Sequence, residues 1–104
     1  MNEQDIIKGI LMNYNITLTF VEVCHHCHLS EEELMNWIAH GLLGDEVRSS
    51  VEAAKFNHDM IVRIHTAYRL HNELEVNVQG TILALELLDQ IAEMRNELAI
   101  LKRY

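Results

Sequence analysis

The chain has 104 residues, with 8 Lys+Arg against 16 Asp+Glu, a formal charge of −8 with histidine neutral, and 49% apolar residues. That length supports one core rather than two, and the composition is that of a folded protein rather than an acidic disordered tail. The charge argues against nucleic acid or an anionic membrane surface as the ordinary partner, because both reward a basic face.

Proline is absent and only four glycines occur, which points to helix, since sandwiches of short strands need frequent turns. No apolar run reaches the eighteen or so residues of a membrane span, and MNEQDIIKGILMNYN has no basic region followed by a long apolar core. The expected location is therefore cytoplasmic, with both cysteines reduced.

In chain order, Ile6, Ile7, Ile10 and Leu11 form an apolar set that either docks on the core or frays. The alternation of Ile16, Leu18 and Phe20 allows a short strand. Thr19-Phe20-Val21-Glu22 is a capping box, with Leu18 and Val23 as its hydrophobic staple, and predicts a helix from near Phe20. Ser30-Glu31-Glu32-Glu33 repeats the device with Leu29 and Leu34, and predicts a second helix running to about His40 and stopping at Gly41. The interval leaves room for a first helix of about two turns and a connection of about three residues, which is helix-turn-helix spacing.

Ala54-Lys55-Phe56 is placed as a strand partner of Ile16–Phe20, making a small wing, with Val47–Ala54 readable as wing or helix. Asn57 predicts the cap of a third helix, with Phe56 and Ile61 as staple and Met60, Ile64, Ala67 and Leu74 at helical intervals. Gln79-Gly80 reads as an interruption. From about Thr81, Ala84, Leu87, Ile91, Met94, Leu98 and Leu101 alternate at spacings of three and four, the rhythm of a coiled-coil seam. Leu85, Leu88 and Ala92 make a second stripe, so the early part of this helix is expected to face its own domain and the later part a partner chain. The reading is a single mainly α domain over 1–104: an acidic winged helix-turn-helix part at 16–56, and a helical part at 57–104 that ends in a dimerisation helix.

Cys24-His25-His26-Cys27-His28 spells C-x-x-C-H, the pattern of c-type haem attachment. Haem attachment requires export, and zinc requires a second ligand pair that the spacing does not supply. Cys24 and Cys27 stand three apart on the inward face of the first helix, where cysteine behaves as a small hydrophobe. His28 falls where the turn wants a left-handed residue. The expectation is no metal and no cofactor. His40, His58, His65 and His71 are scattered, and no nucleophile has a base beside it, so no catalysis is expected.

The acids carry more information. Residues 1–30 hold −2, residues 31–59 hold −5 and residues 60–104 hold −1, and no lysine or arginine occurs between Lys8 and Arg48. The second helix of a helix-turn-helix enters the DNA major groove, yet this one offers only glutamates, Asn36 and His40. One glutamate suffices for the cap; three in a row exceed it.

Thr19–Cys24 (TFVEVC), Leu29–Leu34 (LSEEEL), Gly41–Leu43, Arg69–Gly80 (RLHNELEVNVQG) and Ile82–Asp89 (ILALELLD) together resemble the CbpM-type chaperone modulators, a family with a MerR-like winged helix-turn-helix. The chain departs from the family pattern where His28 replaces a glycine, where Gly44-Asp45 replaces a proline, and where Val78-Gln79-Gly80 replaces W-P-G. The resemblance implies a non-enzymatic protein that binds the J-domain of a DnaJ-like co-chaperone of the CbpA type and opposes its Hsp70 co-chaperone and DNA-binding activities.

From charge distribution we assign Glu31, Glu32 and Glu33, with Asp45 and Glu46, as partner contacts. Trp37, which is either core or an exposed anchor, joins them because tryptophan is enriched at interface hot spots. Leu87, Ile91, Met94, Leu98 and Leu101 are assigned to a homodimer seam. The alternative is a MerR-like transcription regulator that binds DNA as a dimer.

Overall fold

The computed structural model describes residues 15–102, so the stripe from Ile6 to Leu11 lies outside the described residues. Within them five helices follow one another: α1 (Phe20–Cys27), α2 (Glu31–Ala39), α3 (Asp45–Ser49), α4 (His58–Leu74) and α5 (Val78–Leu101).

The capping box at Thr19 is complete. Its hydroxyl accepts from the Glu22 N–H at 3.3 Å, and Glu22 Oε1 accepts from the Thr19 N–H at 3.0 Å. That backbone N–H, helped by the hydroxyl, holds the Glu22 carboxyl below the usual carboxylate range. α1 ends as His28 turns left-handed at φ 58°, and the Leu29 N–H reaches back to the Cys24 carbonyl at 3.1 Å. Histidine is one of the few non-glycine types enriched there, which reconciles His28 with the glycine of the family pattern.

Ser30 makes only half of the expected second box. It accepts from the Glu33 N–H at 3.0 Å, and no return bond from the Glu33 carboxylate forms among the described residues. α2 closes at the expected place: Gly41, at φ 94°, donates its N–H to Ile38 O at 3.0 Å, and Leu42 donates to Trp37 O at 3.2 Å. This pair of bonds is a Schellman closure, and its characteristic apolar contact positions, Leu42 and Trp37, are both buried.

The expected wing is not present as a sheet. A single antiparallel bridge joins Leu18 to Phe56, with N–H···O distances of 2.9 and 2.8 Å. α1 starts at Phe20, α4 is capped at Asn57, and the intervening segment folds into α3 and a turn at 51–53. Only one residue pair is thus left extended. The pairing of the two segments is as expected; their length is not.

In α4, Asn57 accepts from the Met60 N–H at 3.0 Å, and Ile61, Ile64 and Ala67 are buried. Leu74, expected on the same face, is exposed because the last turn of α4 overshoots the core. Glu75 then turns left-handed at φ 53°, and α5 begins at Val78, earlier than the expected Thr81. Its cap is Asn77, whose Oδ1 accepts from the Gly80 N–H at 2.7 Å. The break is at Glu75–Asn77 and not at Gln79-Gly80. A Cβ on Gly80 would approach Val76 Cγ1 to 2.9 Å and Asn77 Oδ1 to 3.0 Å, so this glycine makes room for the cap rather than ending a helix.

Val23, Leu34, Ile38, Phe56, Ile61 and Ile64 lie at the centre of one core. Each such side chain contributes about 1.5–3 kcal/mol by burial. α1 packs against α2 and α4, and α4 against α5. Ile82 and Leu85 are the buried apolar residues of α5, and from Glu86 to Lys102 every residue is exposed. Leu88 and Ala92, expected to face the domain, are therefore among the exposed residues: α4 offers them no surface.

Candidate protein-binding face

α2 holds Glu31, Glu32 and Glu33 in its first turn, all three exposed. Placed there, carboxylates favour the positive end of the helix dipole. None of the three forms an ion pair among the described residues, so their charge is presented to solvent. Glu31 also acts inward: burial pushes the Cys24 thiol up, and the Glu31 charge adds to the shift.

Asp45 and Glu46 start α3, beyond the far end of α2. α2 has nine residues and so rises about 13 Å, which separates these acids from the glutamate row. Asp45 binds Arg48 at 3.0 Å, partly neutralising its charge, while Glu46 is exposed. The residues assigned as partner contacts thus fall into two groups on either end of α2 and not into one patch.

Trp37 is not an exposed anchor. It is 4% exposed, inside the core, with its ring edge-on to His71 at 5.4 Å between centroids. His71 Nδ1 donates to the Val76 carbonyl at 2.6 Å, which fixes the ring and ties the end of α4 to the start of α5. The reason is positional: Trp37 shares the inward stripe of α2 with Leu34 and Ile38.

Arg63 was not anticipated from the sequence. Its Nε donates to the Leu42 carbonyl at 2.8 Å and its Nη1 to Asp89 at 2.9 Å, so one guanidinium joins the loop after α2 to α4 and α5. Those partners are 21 and 26 residues away, beyond any local motif.

Cys24 and Cys27 are buried in the core, as their spacing on α1 implies. Burial pushes the Cys27 thiol up to about 11, the neighbouring Cys24 contributing less, so both are neutral thiols and poor nucleophiles at neutral pH. His25 and His26 lie edge-to-face at 5.5 Å on the outside of α1. Among the described residues no group of three His, Cys, Asp or Glu side chains converges on a metal position, and no helix is long and apolar enough to cross a membrane.

The assigned seam residues Leu87, Ile91, Met94, Leu98 and Leu101 are all substantially exposed, and Leu83, Leu88 and Ile100 share that exposure. Those spaced by three and four share one side of α5 as it leaves the domain.

A short helix, a three-residue turn and a second capped helix on a shared core define a helix-turn-helix protein with a long terminal helix. The family model described as MerR HTH family regulatory protein matches residues 18–103. The chaperone modulatory protein CbpM of Coxiella burnetii is 32% identical over 101 residues, covering 97% of this chain and 94% of that protein. The chaperone modulatory protein CbpM of Escherichia coli O139:H28 is 32% identical over 94 residues, covering 89% and 91% respectively. The chain belongs to the MerR-type helix-turn-helix family and, within it, to the CbpM-type chaperone modulators.

Proposed function

We propose that this chain is a non-catalytic, cytoplasmic modulator that binds the J-domain of a DnaJ-like co-chaperone of the CbpA type and opposes its Hsp70 co-chaperone and DNA-binding activities. The observation that carries this reading is the exposed Glu31–Glu33 row on the helix that, in a DNA-binding relative, would face phosphates. A row of unpaired carboxylates repels DNA and attracts a basic protein surface, speeding encounter and making affinity salt-dependent. Glu46 extends the acidic surface, and Asp45 contributes less because Arg48 holds it. The protein acts as a homodimer through Leu87, Ile91, Met94, Leu98 and Leu101 of α5, whose exposed apolar side chains have no cover within the chain.

The test is a titration of the J-domain against the full chain. Replacing Glu31→Gln, Glu32→Gln and Glu33→Gln together lowers affinity about tenfold, taking each exposed contact as roughly 0.5 kcal/mol. Unchanged affinity removes the row from the interface.

A DNA-binding regulator is the second reading, favoured by the description of the matching family. Tight binding to duplex DNA with a steep salt dependence would establish it. The lack of any lysine or arginine on α1 and α2 counts against it.

A further inference from the structure

Three shallow hollows adjoin around Asp59, Met60 and Arg63, near the start of α4. The middle one, of about 410 Å³, lies between the Gly41–Gly44 loop, Met60 and Arg63, and includes the exposed residues Asp59 and Glu86. A second shares Met60 with it and reaches Glu46 and Val47 of α3. The third shares Asp59 and Arg63 and reaches Leu85 and Asp89 of α5.

The central cation of this band is already committed, since Arg63 serves Asp89 and the Leu42 carbonyl. Lys55 lies at the α3 side, so the negative field is strongest over the middle and α5 sides. There Leu43 and Met60 supply apolar walls beside two carboxylates. Asp59 has a local use, sitting in the first turn of α4 at 3.4 Å from His58 Nδ1. Glu86 has none: it stands in mid-helix, exposed, with no ion pair among the described residues.

We infer that this band seats a cationic amphipathic helix of the protein partner, its apolar side chains in successive hollows and its Lys or Arg heads at Asp59 and Glu86. Each hollow is of side-chain size, and contiguous hollows match the i, i+3, i+4, i+7 anchors by which a helix lies in a groove. Long cationic stems would cover Met60 and Leu43 while their charged ends reach the carboxylates. The inference rests on the reading above that the partner is a basic protein surface, and it places a second contact near the end of α2 opposite the glutamate row.

The test titrates the full chain with the J-domain of a DnaJ-like co-chaperone and, separately, with a synthetic helical Lys/Leu peptide. Asp59→Asn with Glu86→Gln is expected to weaken both at least fivefold at low salt, with an unchanged thermal melt. The double variant Glu73→Gln and Glu75→Gln, which removes the same charge from the far end of α4, is expected to leave both unchanged. Because Asp59 also supports its helix, Glu86→Lys alone gives an independent check, expected to weaken both at least fivefold. If the wild-type chain binds the peptide but not the J-domain, and the groove variants abolish that binding, the band stands and the J-domain reading falls. If the J-domain binds and responds to the Glu31–Glu33 variants but not to the groove variants, the band is overturned and the functional reading stands. If neither probe binds, both fall.

Discussion

Ile82 and Leu85, in the opening turns of α5, are 6% and 5% exposed, whereas Leu87, Ile91, Met94, Leu98 and Leu101 in its later turns are between 45% and 67% exposed. The two halves of the helix are similarly apolar, and what differs is the neighbour. The first half lies along α4, while the second has left the domain. Burial within the chain stabilises the fold at any concentration; apolar surface outside it contributes only when another molecule covers it. One continuous helix thus carries a folding function at one end and an associating function at the other.

The sharpest way to break that contrast is through the core. Phe56→Ala, at the bridge to Leu18, is expected to cost about 3–5 kcal/mol in urea unfolding, independent of protein concentration. A much smaller loss would mean that the chain's stability does not reside in its own core. Next is the alkaline limit of the same core. The fold raises the Cys27 pKa from its ordinary value of 9.0 to about 11, so its contribution is intact below pH 9 and is lost as pH rises through 11. The loss is about 2–3 kcal/mol at roughly 1.4 kcal/mol per unit. Stability curves of the native chain and of Cys27→Val should diverge over that range; parallel curves would show that the thiol does not titrate with unfolding.

Asn77→Ala separates the two halves of α5 more finely. It removes the cap at the docked end and is expected to cost about 1 kcal/mol in thermal or chemical unfolding, with the concentration dependence of Tm unchanged. The smallest effect on folding is expected at the other end. Ile91→Asp with Leu98→Asp should alter the stability of dilute protein by about 0.5 kcal/mol or less, yet abolish any concentration dependence of Tm and any dimer seen by sedimentation. Equal destabilisation at every concentration would place those side chains in the chain's own core.

What was legible in the sequence was the chemistry that acts within four residues. Thr19, Ser30 and Asn57 were readable as caps because a short polar side chain must meet orphan N–H groups, and all three do. Asn77 escaped notice because the residue it caps is Gly80, which reads as a breaker until the Val76 side chain is seen packed against it. Periodicity identified the apolar faces of α4 and α5 but not where their neighbours stop, so Leu74, Leu88 and Ala92 were placed inward although the structure leaves them outside. Trp37 was ambiguous for a related reason: a tryptophan on an amphipathic helix suits core and interface equally, and the contact with His71 34 positions on decides it. The bonds of Arg63 depend wholly on tertiary placement, which no local pattern encodes. The exposed acids of α2 were legible as charge, but their separation from Asp45 and Glu46 required the helix between them to be built.

The edge-on pair of Trp37 and His71 gives the molecule an internal optical gauge. The chain has a single tryptophan, and its indole spans from the second helix to the corner where α4 passes into α5. Its emission therefore reports one junction, the seating of the helix-turn-helix on the long helical pair, without any added label. A ligand that leaves this seating alone will leave the spectrum alone, and one that pries the two apart will shift it toward the red as water reaches the ring.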